Sequence, residues 1–248
     1  MRETRIIMGM PVTIDLPRAR TSESLETIFC DFEAVDRRFS TYKPESEISA
    51  INRGEIARDH FSPQMLEVFA IAESTRRETD GYFDIATPAG RLDPSGIVKG
   101  WAIRNAAEKL LATGVADFCL DVGGDIQCAG RNESGEPWRI GIRNPFDPAG
   151  IVKIIYPAAH GVATSGSYVR GDHIYDPSLG GPPADAPVSI TVIGPDILEA
   201  DRFATAAVAM GNDGIAFIAT RAGFEAYAID AAGIATATPG FSNYTRPQ

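Results

Sequence analysis

A chain of 248 residues, 44% apolar and 23% charged, has enough apolar side chains to bury a sizeable core as one large domain or two small ones, which excludes a disordered chain. Its 33 acidic side chains outnumber its 23 lysines and arginines, and the resulting charge of −10 is spread along the chain without long runs. A surface of that sign repels phosphate backbones, so no nucleic-acid partner is expected; a small anion binds only where a metal ion or helix N-termini reverse the local field.

Residues 4 to 16 alternate as one strand, interrupted by Gly9 in "MGM", where a bulge or a close ligand approach is expected. In "TSESLETIFCDFEAVDRRF" the residues Leu25, Ile28, Phe29, Phe32, Val35 and Phe39 form one stripe, predicting an amphipathic helix capped near Thr21 or Ser22. "STYKPESE" breaks it, a short helical piece follows at 46 to 52, and a long helix starts with Ser62 as cap and Pro63 at N1, ending before Gly81. The next helix runs from about Ser95 to Thr113 and stops at Gly114. "DFCLDVGGDIQCAG" reads as two short strands around Gly123 and Gly124. Further strands are predicted at 138 to 143, 151 to 156, 160 to 165 and 188 to 194, helices at 197 to 210 and 213 to 222, and two strands at 224 to 238. Helices and antiparallel hairpins in blocks, without regular βαβ alternation, indicate an α+β domain with no internal repeat.

Cys30, Cys119 and Cys128 are scattered among apolar residues without a CxxC pair, and are expected to be reduced core thiols. The region after Met1 alternates instead of running apolar, so cytoplasmic residence is expected for the text as written, and a periplasmic one if a leader has been removed. No stretch approaches the roughly 20 apolar residues of a membrane span.

Five short segments carry chemistry. "EADRFATAAVAMG" places Asp201 and Thr205 one turn apart on the same face of a helix that its alanines mark as packed. Two hard oxygens there suit a cation; the alternative is an N-cap Asp with a Thr bonding back to its own helix. "DPSGIVKG" puts Gly96, Lys99 and Gly100 at a helix start, a setting for a phosphate or simply a helix-start glycine with a surface lysine, since the P-loop spacing is absent. "DVGGD" is a turn or a close-approach site. "GVATSGSY" offers Thr164, Ser165 and amides beside Gly166, an anion nest or a polar loop. In "GDHIYDP" an extended turn can aim His173 and Asp176 together into a cleft, or leave His173 a structural hydrogen-bonder.

Taken in order, "MGMPVTI", "FSTYKPESEISAIN", "TDGYFD", "DPSGIVKGWAI", "DVGGDIQCAG", "WRIGIRNP", "VATSGSY", "HIYDPSLGGP", "SITVIGP" and "ADRFATAAVAMG" resemble the ApbE family of flavin transferases, FAD:protein FMN transferases, over nearly the whole length. The resemblance implies a single ApbE-like domain over 1–248, an α+β fold related to tunnelling folds, with a mainly antiparallel sheet and packed helices. It implies a Mg²⁺-dependent enzyme that takes FAD as substrate, cleaves its pyrophosphate, attaches FMN through a phosphoester to a threonine of an acceptor flavoprotein, and releases AMP. The acceptor carries a Ser/Thr-rich motif ending in the modified Thr. By the same resemblance the metal ligands fall on Asp201, Thr205 and the main-chain carbonyl of Gly96. His173 is then the candidate base, with Asp176 orienting it or sharing the role. Lys99 is assigned to phosphate, Met10, Tyr42 and the Thr164–Ser165–Gly166 loop to flavin or adenine, and Gly123 and Gly124 to close backbone approach. The alternatives carried with it are a Mg²⁺-dependent FAD pyrophosphatase and a catalytically weak flavin carrier. Three departures stand out: the family's longer insert is shortened between 83 and 93, Arg104 replaces a common Asp, and Leu179 replaces a Thr.

Overall fold

Helices form where an apolar stripe is bracketed by end signals. The computed structural model describes residues 1–18, 22–166, 181, 183 and 185–246. In α1 (Glu23–Phe39) the stripe Leu25, Ile28, Phe29, Phe32 and Phe39 is buried; Ser22 stands at the N-cap without a side-chain bond, and acidic Glu23 and Glu26 complement the dipole instead. Ser46 and Ser62 cap α2 (Glu47–Asn52) and α3 (Pro63–Glu78), each hydroxyl accepting a backbone N–H from Ser49 or Met65. α4 (Ser95–Ala112) ends before Gly114, whose φ of 85° only glycine adopts cheaply. α5 (Ile197–Ala209) and α6 (Asp213–Ala219) complete the helices described here. None of them is long and apolar enough to cross a membrane.

The predicted strand over 4 to 16 is instead a hairpin of β1 (Arg2–Ile7) and β2 (Met10–Asp15). Met8 (φ 55°) and Gly9 (φ 73°) both take positive φ, making a two-residue turn whose twist matches the flanking strands. The interruption expected at Gly9 is there, as a chain reversal and not a bulge; the positive φ of Met8 had no sequence signal. β3 (Phe118–Val122) and β4 (Asp125–Ala129) follow, then β5 (Ile140–Asn144), β6 (Asp147–Ile155), β7 (Gly161–Ser165), β8 (Ser189–Gly194), β9 (Glu225–Ile229) and β10 (Ala235–Ala237). Eight of them form one antiparallel sheet in the order β1-β2-β3-β4-β7-β8-β9-β10, and β5 pairs with β6 apart from it. The 83–93 stretch closes on itself: Ala86 bridges Leu92, Asp93 N–H donates to the Ile85 carbonyl at 2.8 Å, and the Asn52 side chain bonds both the N–H and the carbonyl of Leu92.

The helices cover one sheet face and the β5–β6 hairpin covers the other. Phe118, Leu120 and Val122 pack into the main core with Ile97, Ile103 and Phe203, whereas Ile126, Cys128, Val162 and Ile193 pack with Ile140, Ile142 and Ile155. On β4 the side chains therefore alternate, with Ile126 and Cys128 toward the hairpin and Asp125 and Gln127 toward the helices. Gln127 uses that position to accept the Ile197 N–H at 2.9 Å, holding the start of α5, while its amide donates to the Ala159 carbonyl at 2.7 Å. There is no room for a side chain at Gly161, where a Cβ would lie 2.1 Å from Ile197 N. Gly161→Ala is expected to lower unfolding free energy by about 3 kcal/mol, because backbone and not a side chain must yield. A shifted urea midpoint with an unchanged slope checks this.

The cysteines divide. Cys128 is buried and Cys119 half-buried, but Cys30 lies exposed on α1, outside the core that the sequence reading assigned it.

Candidate active site

The site begins where α4 crosses α5. A Cβ at Gly100 would sit 2.9 Å from Leu198 Cα, 3.0 Å from Asp201 Cβ and 3.1 Å from the Ile197 carbonyl oxygen, so the two helices touch through a bare backbone. Across this seam the Gly100 N–H donates to Asp201 Oδ2 at 3.0 Å. In a regular helix that amide serves the Gly96 carbonyl, so the Asp201 carboxylate competes with that carbonyl for its donor.

Asp201 is 2% exposed and Asp125 1% exposed. The Lys99 ammonium stands 2.6 Å from Asp125 Oδ2 and 3.6 Å from Asp201 Oδ1, bridging two carboxylates that come from different layers. Asp125 Oδ1 accepts the Thr164 N–H at 3.1 Å, which ties β4 to β7. Burial pushes the Asp201 carboxyl up to about 8; Lys99 and the Gly100 amide pull it down, and neighbouring Asp125 pushes it further up.

Neither half of the alternative reading of the Asp201–Thr205 pair holds. The N-cap of α5 is Asp196, whose Oδ1 accepts the Glu199 N–H at 3.0 Å, so Asp201 lies inside the helix. Among the described residues the Thr205 hydroxyl has no hydrogen bond, to its own helix or elsewhere. Its Cγ2 lies 3.7 Å from the Cβ position of Gly96. Gly96, Asp201 and Thr205 thus meet at one corner of a cleft of about 530 Å³.

Lys99, Thr164, Ser165 and Gly166 line the same end of the cleft. Gly123 (φ 64°) and Gly124 (φ 100°) turn β3 into β4 at its wall, and no atom lies within 4 Å of where a Gly124 Cβ would be. The Gly124 N–H is held by Asp121 Oδ1 at 2.9 Å, and burial raises the Asp121 carboxyl above its ordinary value. Met10 packs beneath this turn, its sulfur 2.9 Å from the Cβ position of Gly123, and does not line the cleft. Tyr42 is not brought to the cleft: it is 95% exposed and borders a separate shallow cavity with Asn52, Arg53 and Arg91. Arg104 also points elsewhere, pairing with Glu67 at 3.3 Å. His173, Asp176 and Leu179 lie outside the described residues.

Sequence reasoning missed three arginines of the cleft and the buried Asp125 that pairs with Lys99 beside it. Arg2, Arg139 and Arg143 line the cleft beside the acidic Asp15, Asp84, Asp93 and Asp121; Arg139 and Arg143 stand four residues apart in "WRIGIRNP", but nothing in that stretch says that its basic side chains face a cleft with Arg2 of β1. Asp125 had a signal, a carboxylate among the apolar residues of "DIQCA", but its partners Lys99 and Thr164 are distant in the chain.

The ApbE family profile matches residues 8–90 and 86–228. The FAD:protein FMN transferase of Vibrio cholerae is 37% identical over 131 residues, 49% of this chain and 39% of that protein. That of Salmonella typhimurium is 32% identical over 166 residues, 63% of this chain and 46% of its own length. The aligned stretches thus span less than half of these curated relatives. Among solved structures, the flavin transferase ApbE from Vibrio cholerae superposes with a TM-score of 0.85 at 26% identity, covering 98% of both chains. The ApbE protein of Thermotoga maritima shares the fold at a TM-score of 0.84 and 22% identity, over 99% of both chains. With its profile matched along most of its length and its architecture shared from end to end, this chain belongs to the ApbE family.

Proposed function

We propose that this chain is a Mg²⁺-dependent FAD:protein FMN transferase, which moves FMN from FAD to a threonine hydroxyl of an acceptor flavoprotein and releases AMP. One observation carries the reading: a buried carboxylate, a hydroxyl without a hydrogen bond among the described residues and the helix-start backbone of Gly96 converge on a cleft that also holds Lys99 and three arginines. Family membership and the printed activity of the relatives support it.

The donor set fits magnesium. Carboxylate, hydroxyl and carbonyl oxygens are hard ligands, and a sparse protein set is the usual one where substrate phosphates and water complete the shell. When bound there, Mg²⁺ neutralises charge developing on a pyrophosphate. The chain's own residues do the rest. Lys99 keeps Asp125 and Asp201 in register and leaves one positive charge shared between two carboxylates, so the corner remains attractive to a cation. Arg2, Arg139 and Arg143, with Lys99, are the basic groups of a cleft that also carries Asp15, Asp84, Asp93, Asp121 and Asp201, and they are the side chains assigned to the phosphates of an anionic dinucleotide. The Gly124 backbone, with open space above it, allows planar groups to approach closely. His173 is assigned the proton of the acceptor hydroxyl, with Asp176 orienting it or sharing the role.

Incubation with FAD, Mg²⁺ and a protein bearing a Ser/Thr-rich motif tests the proposal, read by the mass of the acceptor. Attached FMN with free AMP supports it; free FMN plus AMP assigns a pyrophosphatase, and FAD that persists intact assigns a carrier. His173→Ala is expected to slow transfer about 10²-fold. A negligible effect would move the proton to Asp176 or to solvent.

A further inference from the structure

Two sulfurs meet in the cleft wall. Cys119 on β3 and Cys128 on β4 are direct cross-strand partners, and their Sγ atoms lie 3.2 Å apart. The Gly123–Gly124 turn closes Val122 on Asp125, and alternation from that pair makes Cys119 and Cys128 a non-hydrogen-bonded pair. In such pairs the Cα atoms sit about 4.5 Å apart, within the span that a disulfide bridges. Cys119 lines the cleft, whereas Cys128 is fully buried among Ile126, Ile140 and Val162. Burial and the adjacent thiol hold the Cys128 thiol well above its ordinary value, so external reagents meet Cys119 first.

We propose that Cys119 and Cys128 form a reversible dithiol–disulfide couple, with Cys119 the attacking and Cys128 the resolving sulfur, oxidised by low-molecular-weight disulfides of the glutathione type. The Cys119 thiolate attacks one sulfur of the reagent, the reagent's S–S bond breaks, and one glutathione thiolate departs, leaving a mixed disulfide on Cys119. Cys128 then gives up its proton to the released thiolate and attacks the Cys119 sulfur. The second glutathione leaves and the Cys119–Cys128 bond closes. Two electrons pass from the pair to the reagent, two protons follow them, and one disulfide has been exchanged for another. The couple keeps the cleft clear, since a tripeptide left on Cys119 would occupy the space between β3 and the hairpin. It stands whatever molecule the cleft takes.

The test uses the full chain incubated with oxidised glutathione, quenched with an alkylating agent and mapped by peptide mass. The expected product is a Cys119–Cys128 linked peptide that dithiothreitol reverses, while exposed Cys30 carries a glutathione adduct and reports that reagent was present. Cys128→Ser removes the resolving sulfur and is expected to trap glutathione on Cys119 at an occupancy at least about tenfold above wild type. If that variant fails to fold, Cys119→Ser serves instead, and must abolish the link while leaving buried Cys128 unmodified. The proposal is overturned if wild type keeps a stable glutathione on Cys119 without the link, or if Cys119 stays unmodified while Cys30 reacts.

Discussion

Asp201→Asn is expected to lower FMN transfer about 10³-fold while the chain stays folded with an equal or higher melting temperature. The loss corresponds to about 4 kcal/mol of charge stabilisation, the scale on which a bound divalent ion acts. Asparagine keeps the shape of the side chain and an oxygen for the Gly100 N–H; what disappears is the charge. That charge is costly to the fold. The Asp201 carboxyl rises from an ordinary 3.8 to about 8, so between those values the folded protein holds a proton that the unfolded chain gives up. The stability contribution of this group is therefore present in full below 3.8 and is lost as pH rises through about 8. Urea titrations at the two ends of that window should show wild type weakening with pH and Asp201→Asn lacking that slope. Magnesium requires the ionised form, so its stabilising effect on wild type should grow toward the upper end of the window and be missing from the variant. Unchanged Mg²⁺-dependent activity in Asp201→Asn would remove this residue from the metal corner.

Gly100→Ala is expected to cost both stability, by about 2–3 kcal/mol, and activity, by about 10–100-fold. The added methyl meets Leu198 Cα at 2.9 Å and the Ile197 carbonyl oxygen at 3.1 Å, and neither is a side chain that rotates away. α5 must shift, carrying Asp201 and Thr205 with it and breaking the Gly100–Asp201 bond. Gly96→Ala makes the comparison: its methyl meets the tip of the Phe83 ring at 2.9 Å, a group that tilts, so its stability loss should be the smaller. Equal stability losses would mean that the helix seam is not the rigid part of the site.

The sequence reading and the structure agree where a signal is local. Ser62 with Pro63, and Gly114 after Ala112, mark helix ends through bonds and dihedrals made within a few residues. The spacing of Asp201 and Thr205 also carried real information, because four residues on a helix is a geometric statement that no tertiary contact can alter. Legibility fails where the cause is remote. Met8 takes positive φ because the register of β1 on β2 demands it, and nothing in "IMGM" announces this. Cys30 sits among apolar neighbours in sequence, but its angle on α1 turns it to solvent while Phe29 goes inward. Tyr42 follows a helix end and projects into the open, a direction set by the Ser40-to-Ser46 turn and not by residue type. Asp125 and Lys99 find each other only because β4 is laid beneath α4, which is a property of topology.

The alternation along β4 has a consequence for how the protein reaches its working form. Five consecutive residues deliver a carboxylate and an amide to one side and an isoleucine and a thiol to the other, so sliding this strand by a single position would exchange the two sets. Isoleucine would then confront the ammonium, and an acid would be driven into grease. Because both errors are expensive, the register of β4 is strongly specified, and the tight two-glycine reversal ahead of it is the ruler that sets the count.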